Sequence, residues 1–277
     1  GPGRPAPKGV PVATTTYGVE SAIIRKLPNG MTVCMEPLPY LRSATAGIWA
    51  RVGSAHESGD QAGIAHFLEH LFFKGTATRN VHEVMEAIES KGGHLNAFTS
   101  REYTCLYVKM LDQYLGIGIE ILADLVKNAV FRDLEKERNV VLEEIAAIED
   151  TPDEYVFDLL SEHHWRDHPL GRSVSGGAET VSRLSLEHVR AFFETWYQPE
   201  NLIFSIAGNF DPEMLFAQIQ AEFADLPSRP APKVLTAPAF AGGLRVIERD
   251  IAQDHVCIAF PGPKLGTPER YVCDLTS

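Results

Sequence analysis

Cysteine is scarce and scattered in this chain. The 277 residues contain four cysteines, Cys34, Cys105, Cys257 and Cys273, and no Cys-x-x-Cys pair. This spacing excludes a small disulfide-rich scaffold, because such scaffolds need many closely spaced cysteines. We interpret the four as buried thiols of a protein in a reducing compartment. A disulfide between two of them is the alternative.

Long apolar runs are also missing. No uninterrupted stretch approaches the roughly 20 apolar residues of a membrane-spanning helix, although hydrophobic residues make up 44% of the chain. Residues 1–3, Gly-Pro-Gly, lack the positive start and apolar core of a signal peptide. We therefore expect a soluble protein of the cytoplasm or of a mitochondrial-matrix-like compartment rather than a secreted one. The periplasm, and a targeting segment upstream of these residues, are the alternatives.

Basic residues are in deficit. Lys and Arg number 25 against 37 Asp and Glu, which gives a net charge of −12 at pH 7. Nucleic-acid binding needs clustered basic side chains at the phosphates, so we expect no nucleic-acid partner. The acidity is compatible with a cavity for basic peptides, but it equally serves solubility alone. Charge does not decide between these two interpretations.

One stretch carries a pattern typical of a metal site. His66 and His70 are four residues apart and therefore lie on one face of a helix, one turn apart. Glu69 lies between them, so its carboxylate can point to the same place. The order His-x-x-Glu-His is the inverzincin pattern, and a catalytic zinc usually takes three protein ligands and a water. The third ligand must come from elsewhere, and the plain alternative is a buried helix with two structural histidines.

Acidic residues on a second predicted helix are candidates for the third ligand. Residues 134–150 have a helical pattern, and Glu137 and Glu144 are seven residues apart, so they share a face. Glu143 points about 100° away from Glu144. Glu144 lies among the apolar positions of this helix, which fits a buried face better than a solvated one. A solvated charged helix is the alternative.

The hydrophobic pattern predicts groups of strands with runs of helices between them. We expect an α+β fold in which helices pack on one face of a mostly antiparallel sheet. Asn80, Asp112 and Ser185 are predicted to cap helices, and Asp211 to begin another. The predicted strands are residues 22–25, 32–35, 44–52, 94–99, 103–110, 202–207, 244–247 and 256–260.

Proline-rich stretches divide the chain. Residues 1–17 are predicted to be an extended arm, and residues 227–241 a proline-rich interdomain linker. Residues 18–226 then form the domain with the histidine motif. Residues 242–277 repeat the order of strand, loop and helix seen at 44–75, without histidines. We interpret them as the truncated beginning of a second, metal-free, similar domain; the alternative is that they pack onto the first domain.

Several stretches together match one family signature. They are residues 63–70 with 73–76, residues 96–99, and residues 196–208. In these stretches the chain resembles the pitrilysin (inverzincin) family of zinc metallopeptidases, most closely its processing-peptidase-like branch. The resemblance implies that residues 18–226 are a zinc-binding peptidase domain. It also implies repeated α/β units, only one of them carrying zinc, that face each other around a chamber.

The resemblance further implies roles for individual residues. His66, His70 and Glu144 would bind zinc, with one Zn²⁺ per active site. Glu69 would be the general base, and Glu137 a supporting carboxylate at the same catalytic centre.

Substrate contacts are predicted at two places. The resemblance implies that the strand with Asn96, Ala97 and Phe98 is a sheet edge to which an extended peptide adds; an internal strand is the alternative. Glu154 and Asp158 are four residues apart on one helix face. By resemblance these two acids meet a basic residue of the substrate, and a solvated helix face is the alternative.

These features predict a zinc-dependent endopeptidase that cleaves peptides or unfolded protein segments with a metal-activated water. The expected partner besides the peptide substrate is a homo- or heterodimer mate or a second half-domain. Two alternatives stay open: an inactive or structural family member, and one subunit that needs a partner chain for activity. All the motif positions carry imidazole or carboxylate, which favours an enzyme. His163, His164 and His168 are interpreted as structural or surface residues.

Overall fold

A single six-stranded sheet is the frame of the structure. The computed structural model describes residues 22–227, 235–264 and 266–276. The strands in this part of the chain are β1 (Ile23–Lys26), β2 (Thr32–Pro37), β3 (Ser43–Ala50), β4 (His94–Thr99), β5 (Thr104–Leu111) and β6 (Leu202–Gly208). Their spatial order is β1-β2-β6-β3-β5-β4. Each neighbouring pair is antiparallel except β2 and β6, which are parallel.

Helices cover one face of this sheet. In β3 the side chains of Ala44 and Ala46 are buried, whereas Thr45 between them is exposed on the opposite face. The helices of the described residues are α1 (Ile64–Phe72), α2 (Val81–Glu89), α3 (Leu115–Lys127), α4 (Leu134–Glu149), α5 (Pro152–His164), α6 (Ala178–Val181), α7 (Leu186–Trp196), α8 (Pro212–Phe223) and α9 (Glu269–Thr276). Helix α1 contacts β4, α3 contacts β3 and β5, and α8 contacts β2. The predicted α+β fold class is therefore confirmed.

Most helices begin at the predicted residues. Asn80 accepts a hydrogen bond from the N–H of Glu83, whose carboxylate accepts one from the N–H of Asn80, so the two form a capping box. The side chains of Ser185 and Asp211 likewise accept hydrogen bonds from the first turns of α7 and α8.

The predicted cap at Asp112 is wrong. A short 3-10 turn, Asp112–Tyr114, precedes α3, whose N-terminus has no side-chain cap. The carboxylate of Asp112 instead binds Arg42 at 3.0 Å and Asn209 at 2.6 Å. Both partners come from distant parts of the chain, and the N–H of Gln113, which also donates to Asp112 Oδ1 at 2.9 Å, precedes α3.

Residues 244–247 and 256–260 do not form the predicted strands. Both segments lack regular secondary structure, and Val246 and Phe260 are 73% and 81% exposed. A strand needs a hydrogen-bonded neighbour, and the described residues offer these segments none. Helix α9 does follow Pro268, where a helix start is predicted. The second similar domain remains a prediction.

The end of the proline-rich stretch and the residues that follow it lie along α5. Phe240 stacks on His164 with ring centroids 4.7 Å apart, and the N–H of Ala241 donates to the carbonyl of His164 at 3.0 Å. Arg245 pairs with Glu162 at 2.6 Å. The predicted arm over residues 1–17 lies outside the described residues, as do residues 228–234 of the predicted linker.

A buried carboxylate fixes the loop that follows α1. Asp124 on α3 is 6% exposed and accepts hydrogen bonds from Thr76, Thr78, Arg79 and Asn128 at 2.7–2.9 Å. Three of these donors lie in the loop between α1 and α2. Asp124 therefore joins this loop to the helix layer.

Asp124→Ala is expected to destabilise the fold by about 3 kcal/mol, because it leaves buried donors without an acceptor. Chemical denaturation followed by circular dichroism measures this loss. The exposed Asp254 provides the matched control, and Asp254→Ala should leave the free energy of unfolding unchanged. Equal stability of the two variants would contradict the structural role of Asp124.

Candidate metal centre

Helix α1 brings the two motif histidines together. The Nε2 atoms of His66 and His70 are 3.3 Å apart, and their side chains are 18% and 16% exposed. Apart from Glu69, the other residues of α1 are apolar, and Phe67, Leu68 and Leu71 are fully buried in the core. The helix is therefore anchored by its apolar side while both imidazoles face the same point.

Helix α4 supplies a carboxylate at that point. Glu144 Oε2 lies 3.6 Å from His66 Nε2 and 3.4 Å from His70 Nε2. Within the described residues, these three side chains are the His, Cys, Asp or Glu group whose ligand atoms converge closely enough for a metal ion. Glu143, the neighbouring acid, is exposed on another side of α4.

The separations of the three ligand atoms fit zinc. Ligand atoms about 2.1 Å from a tetrahedral zinc lie about 3.4 Å from one another, which agrees with the 3.3, 3.4 and 3.6 Å found here. Burial, followed by the neighbouring His70, lowers the pKa of His66 to about 4. The neutral imidazole that results is the form that binds metals.

A second carboxylate on α4 lies beside the Nδ1 atom of His70. Glu137 Oε2 lies 3.6 Å from His70 Nδ1, and Glu137 Oε1 lies 2.7 Å from Lys74 Nζ. The Glu137 side chain is 5% exposed, so its charge needs a nearby cation. Lys74 supplies it just after the end of α1, a role that sequence reasoning missed. Its place in the family-like stretch at residues 73–76 was the available signal.

Glu69 faces the end of β4. Thr99 Oγ1 donates a hydrogen bond to Glu69 Oε2 at 2.6 Å. Burial raises the pKa of Glu69 above its usual value, while Thr99 and His70 act to lower it and Glu144 to raise it. A carboxylate with a raised pKa is a better proton acceptor at neutral pH. Sequence reasoning did not identify Thr99 as the partner of Glu69.

The residues predicted to contact substrate lie on two elements. Asn96, Ala97 and Phe98 belong to β4, which is at one end of the strand order and so has a free edge among the described residues. Glu154 and Asp158 both lie on α5.

The two acids on α5 have different surroundings. Glu154 is exposed, whereas Asp158 Oδ1 pairs with Arg101 at 3.3 Å and its side chain is 25% exposed. Arg101 also donates to Ser161 Oγ at 3.1 Å. Arg101 thus already compensates the charge of Asp158, a contact that sequence reasoning did not anticipate.

The other histidines near α5 contact the backbone. His164 Nδ1 lies 2.8 Å from the carbonyl oxygen of Ala241, and His168 Nε2 lies 3.0 Å from that of Thr236. These contacts hold the last part of the proline-rich stretch against α5 and the loop after it. They agree with the structural interpretation of this cluster.

Known protein families match most of this chain. The family model described as Insulinase (Peptidase family M16) matches residues 32–178, and the one described as Peptidase M16 inactive domain matches residues 183–277. The chain belongs to peptidase family M16. The predicted membership of the pitrilysin family is thereby confirmed, and with it the metalloprotease class.

Relatives of this M16 chain carry the name zinc protease. The uncharacterized zinc protease YmxG of Bacillus subtilis is 36% identical over 245 residues, which are 88% of this chain and 60% of that protein. A protease from Helicobacter pylori matches with a TM-score of 0.73 and 25% identity, covering 79% of this chain and 53% of that chain. The first half of the periplasmic protease PqqL from Escherichia coli matches with a TM-score of 0.72 and 27% identity, over 79% and 49% of the two chains.

This M16 chain spans only part of its relatives, 60% of the length in the Bacillus subtilis case. The second family match begins at residue 183, inside the predicted first domain, and the predicted domain boundaries remain predictions. Within the described residues, no helix has the length and apolar character needed to span a bilayer.

Lys74→Met is expected to weaken zinc binding by about 10- to 100-fold, because the buried Glu137 then lacks its cation and holds His70 less firmly. Competition with a chromophoric chelator measures the affinity. The exposed Lys136 on α4 offers a matched control, and Lys136→Met should bind zinc as tightly as the wild type. Wild-type affinity in Lys74→Met would show that Lys74 has no influence on the metal centre.

Proposed function

We propose that this M16 chain carries the metal centre of a zinc-dependent endopeptidase that cleaves peptides or unfolded protein segments. The observation that supports the proposal most strongly is the convergence of His66, His70 and Glu144, with ligand atoms 3.3–3.6 Å apart. A structural zinc site would normally use a fourth Cys or His ligand. Among the residues that the structure describes, the convergent group has three members, which leaves a coordination position for water.

Glu69 is the proposed general base. Zinc held by the two histidines and Glu144 would lower the pKa of a water to about 7 and polarise the scissile carbonyl. Glu69 takes the proton from the attacking water and passes it to the leaving nitrogen. The hydrogen bond from Thr99 fixes one oxygen of Glu69, so the other remains available for the proton.

Glu137 is the proposed supporting carboxylate. It lies beside Nδ1 of His70 and forms an ion pair with Lys74. A carboxylate at Nδ1 favours the tautomer with hydrogen on that nitrogen, which leaves Nε2 free to bind metal. Glu137 therefore acts through His70 and not on the substrate.

The free edge of β4 is the proposed substrate site. An extended peptide added beside Asn96, Ala97 and Phe98 would continue the sheet. The same strand ends at Thr99, which contacts Glu69, so a peptide on this edge would pass close to the general base. Strand addition uses backbone hydrogen bonds and so accepts many sequences, as cleavage of unfolded segments requires.

A competing proposal is that this chain cannot cleave peptides by itself. The chain spans 60% of its Bacillus subtilis relative, and residues 183–277 match a domain described as inactive. Under this proposal the chain binds zinc but needs a second half-domain or a partner chain to close the substrate chamber and cleave peptides. It differs from the first proposal in activity and not in metal binding.

Glu69→Gln is expected to retain zinc and to lose about 10²- to 10⁴-fold in kcat/KM, because glutamine cannot accept the proton. Metal content by mass spectrometry and hydrolysis of a quenched fluorescent peptide measure the two properties. The 277-residue chain and a longer form with a second half-domain should be compared.

Inactivity of the wild-type short chain together with activity of the longer form would favour the competing proposal. The exposed Glu143 gives a matched control, and Glu143→Gln should cleave the peptide at the wild-type rate. Undiminished cleavage by Glu69→Gln would exclude Glu69 as the general base.

Glu154 is expected to contribute more than Asp158 to any preference for basic substrates, because Arg101 already neutralises Asp158. Glu154→Gln should reduce the preference for an arginine peptide over its citrulline analogue by roughly tenfold, as loss of a charged hydrogen bond of about 1.5 kcal/mol implies. The ratio of kcat/KM for the two peptides measures this, in the form of the protein that is active.

Asp158→Asn should change the same ratio less than Glu154→Gln does. If both variants keep the wild-type ratio, α5 presents only a solvated acidic face. A larger effect at Asp158 would show that substrate displaces Arg101.

A further inference from the structure

Helix α1 begins without a cap of its own. Its N-cap residue is Gly63, which has no side chain and adopts a φ of +96°. A side chain there would meet the carbonyl oxygen of Ser175 at 2.6 Å and the side chain of Val181 at 2.9 Å. The first N–H groups of a helix need acceptors, so another part of the chain must supply them.

Glu57 supplies these acceptors. Its Oε2 accepts a hydrogen bond from the N–H of Gly63 and its Oε1 from the N–H of Ala65, both at 2.8 Å. Glu57 is 4% exposed. Burial raises the pKa of Glu57 to about 8, while the hydrogen bonds from Ala65 and Gly63 and the charge of Arg172 act to lower it. One buried side chain thus fixes two backbone groups of the first turn.

The position of Glu57 is itself fixed. Arg172 Nη1 donates to the carbonyl oxygen of Glu57 at 2.6 Å. Thr180 Oγ1 donates to the carbonyl oxygen of Ala62, directly before the helix, at 2.8 Å. The start of α1 is therefore held on both sides by contacts that are distant in sequence.

His66 depends on this first turn more than His70 does. It is the third residue of α1 and directly follows Ala65. Its Nδ1 is buried, and no protein group among the described residues binds it. His70 Nδ1, by contrast, faces Glu137. The direction of the His66 ring therefore depends more on the backbone of this turn, because no hydrogen bond at Nδ1 helps to fix it.

We propose that Glu57 is a positioning residue of the metal centre, which fixes the first turn of α1 and thereby the direction of His66 Nε2. The inference rests on the proposed metal binding by His66, His70 and Glu144. Glu57 orients His66 through the backbone of the helix. Glu137 is proposed to orient His70 directly, through its imidazole.

The substitution Glu57→Gln tests the inference, because the two side chains have nearly the same size and shape. Glutamine offers one acceptor oxygen and turns its amide towards the second N–H, so one of the two bonds is lost. The variant should bind zinc about tenfold more weakly and show a changed visible absorption spectrum with Co²⁺. Amide shifts of Gly63 and Ala65 should move as well. Glu187 is an exposed acid in the first turn of α7, and Glu187→Gln is the matched control.

Wild-type zinc affinity and an unchanged Co²⁺ spectrum in Glu57→Gln would overturn the inference, even if the variant melts at a lower temperature. If this variant does not fold, Arg172→Met loosens Glu57 while keeping its carboxylate, and the same two readouts decide. A wild-type chain that binds neither zinc nor Co²⁺ would contradict the metal site itself. An altered spectrum in Glu57→Gln beside a normal one in Glu187→Gln supports the positioning role.

Discussion

The packing of α1 against α4 is the contact on which the metal centre depends. The two helices touch directly, and the inner face of α4 carries Val141 and Ile145, which are 0% and 4% exposed. Glu137 and Glu144 lie on the same face, two helical turns apart. Burial of the apolar residues therefore brings the Glu144 carboxylate close to both Nε2 atoms. It also brings the Glu137 carboxylate close to Nδ1 of His70. Apolar packing places the polar groups, which could not pack together favourably by themselves.

The two imidazoles are held in different ways. At its Nδ1 side His70 faces Glu137, the proposed supporting carboxylate, whose charge is balanced by Lys74. His66 has no such partner among the described residues, and its direction follows from the capped start of α1. The contacts that orient His66 thus lie at the start of α1, and those that orient His70 lie near its end. The proposed general base, Glu69, is positioned by a third element, because Thr99 at the end of β4 donates a hydrogen bond to its carboxylate.

Local patterns in the sequence predicted much of the fold and the centre. The spacing of His66 and His70 defines their common face, and caps such as Ser185 depend on neighbours three residues away. The wrong cap at Asp112, and the missed contacts of Thr99 and Arg101, involve partners 30 to 97 residues distant. The local spacing of residues in the sequence does not indicate contacts over such distances. The strands predicted at 244–247 and 256–260 follow the apolar residues there, but a strand forms only where another chain segment pairs with it.

The assignment of Glu144 as the third ligand is the central claim, and the neighbouring Glu143 makes a direct test possible. Zinc stoichiometry should be measured by mass spectrometry after dialysis against a chelator, for the wild type, Glu144→Gln and Glu143→Gln. The account predicts one zinc per chain in the wild type and in Glu143→Gln, and its loss in Glu144→Gln. Full retention of zinc by Glu144→Gln, with loss in Glu143→Gln, would contradict it.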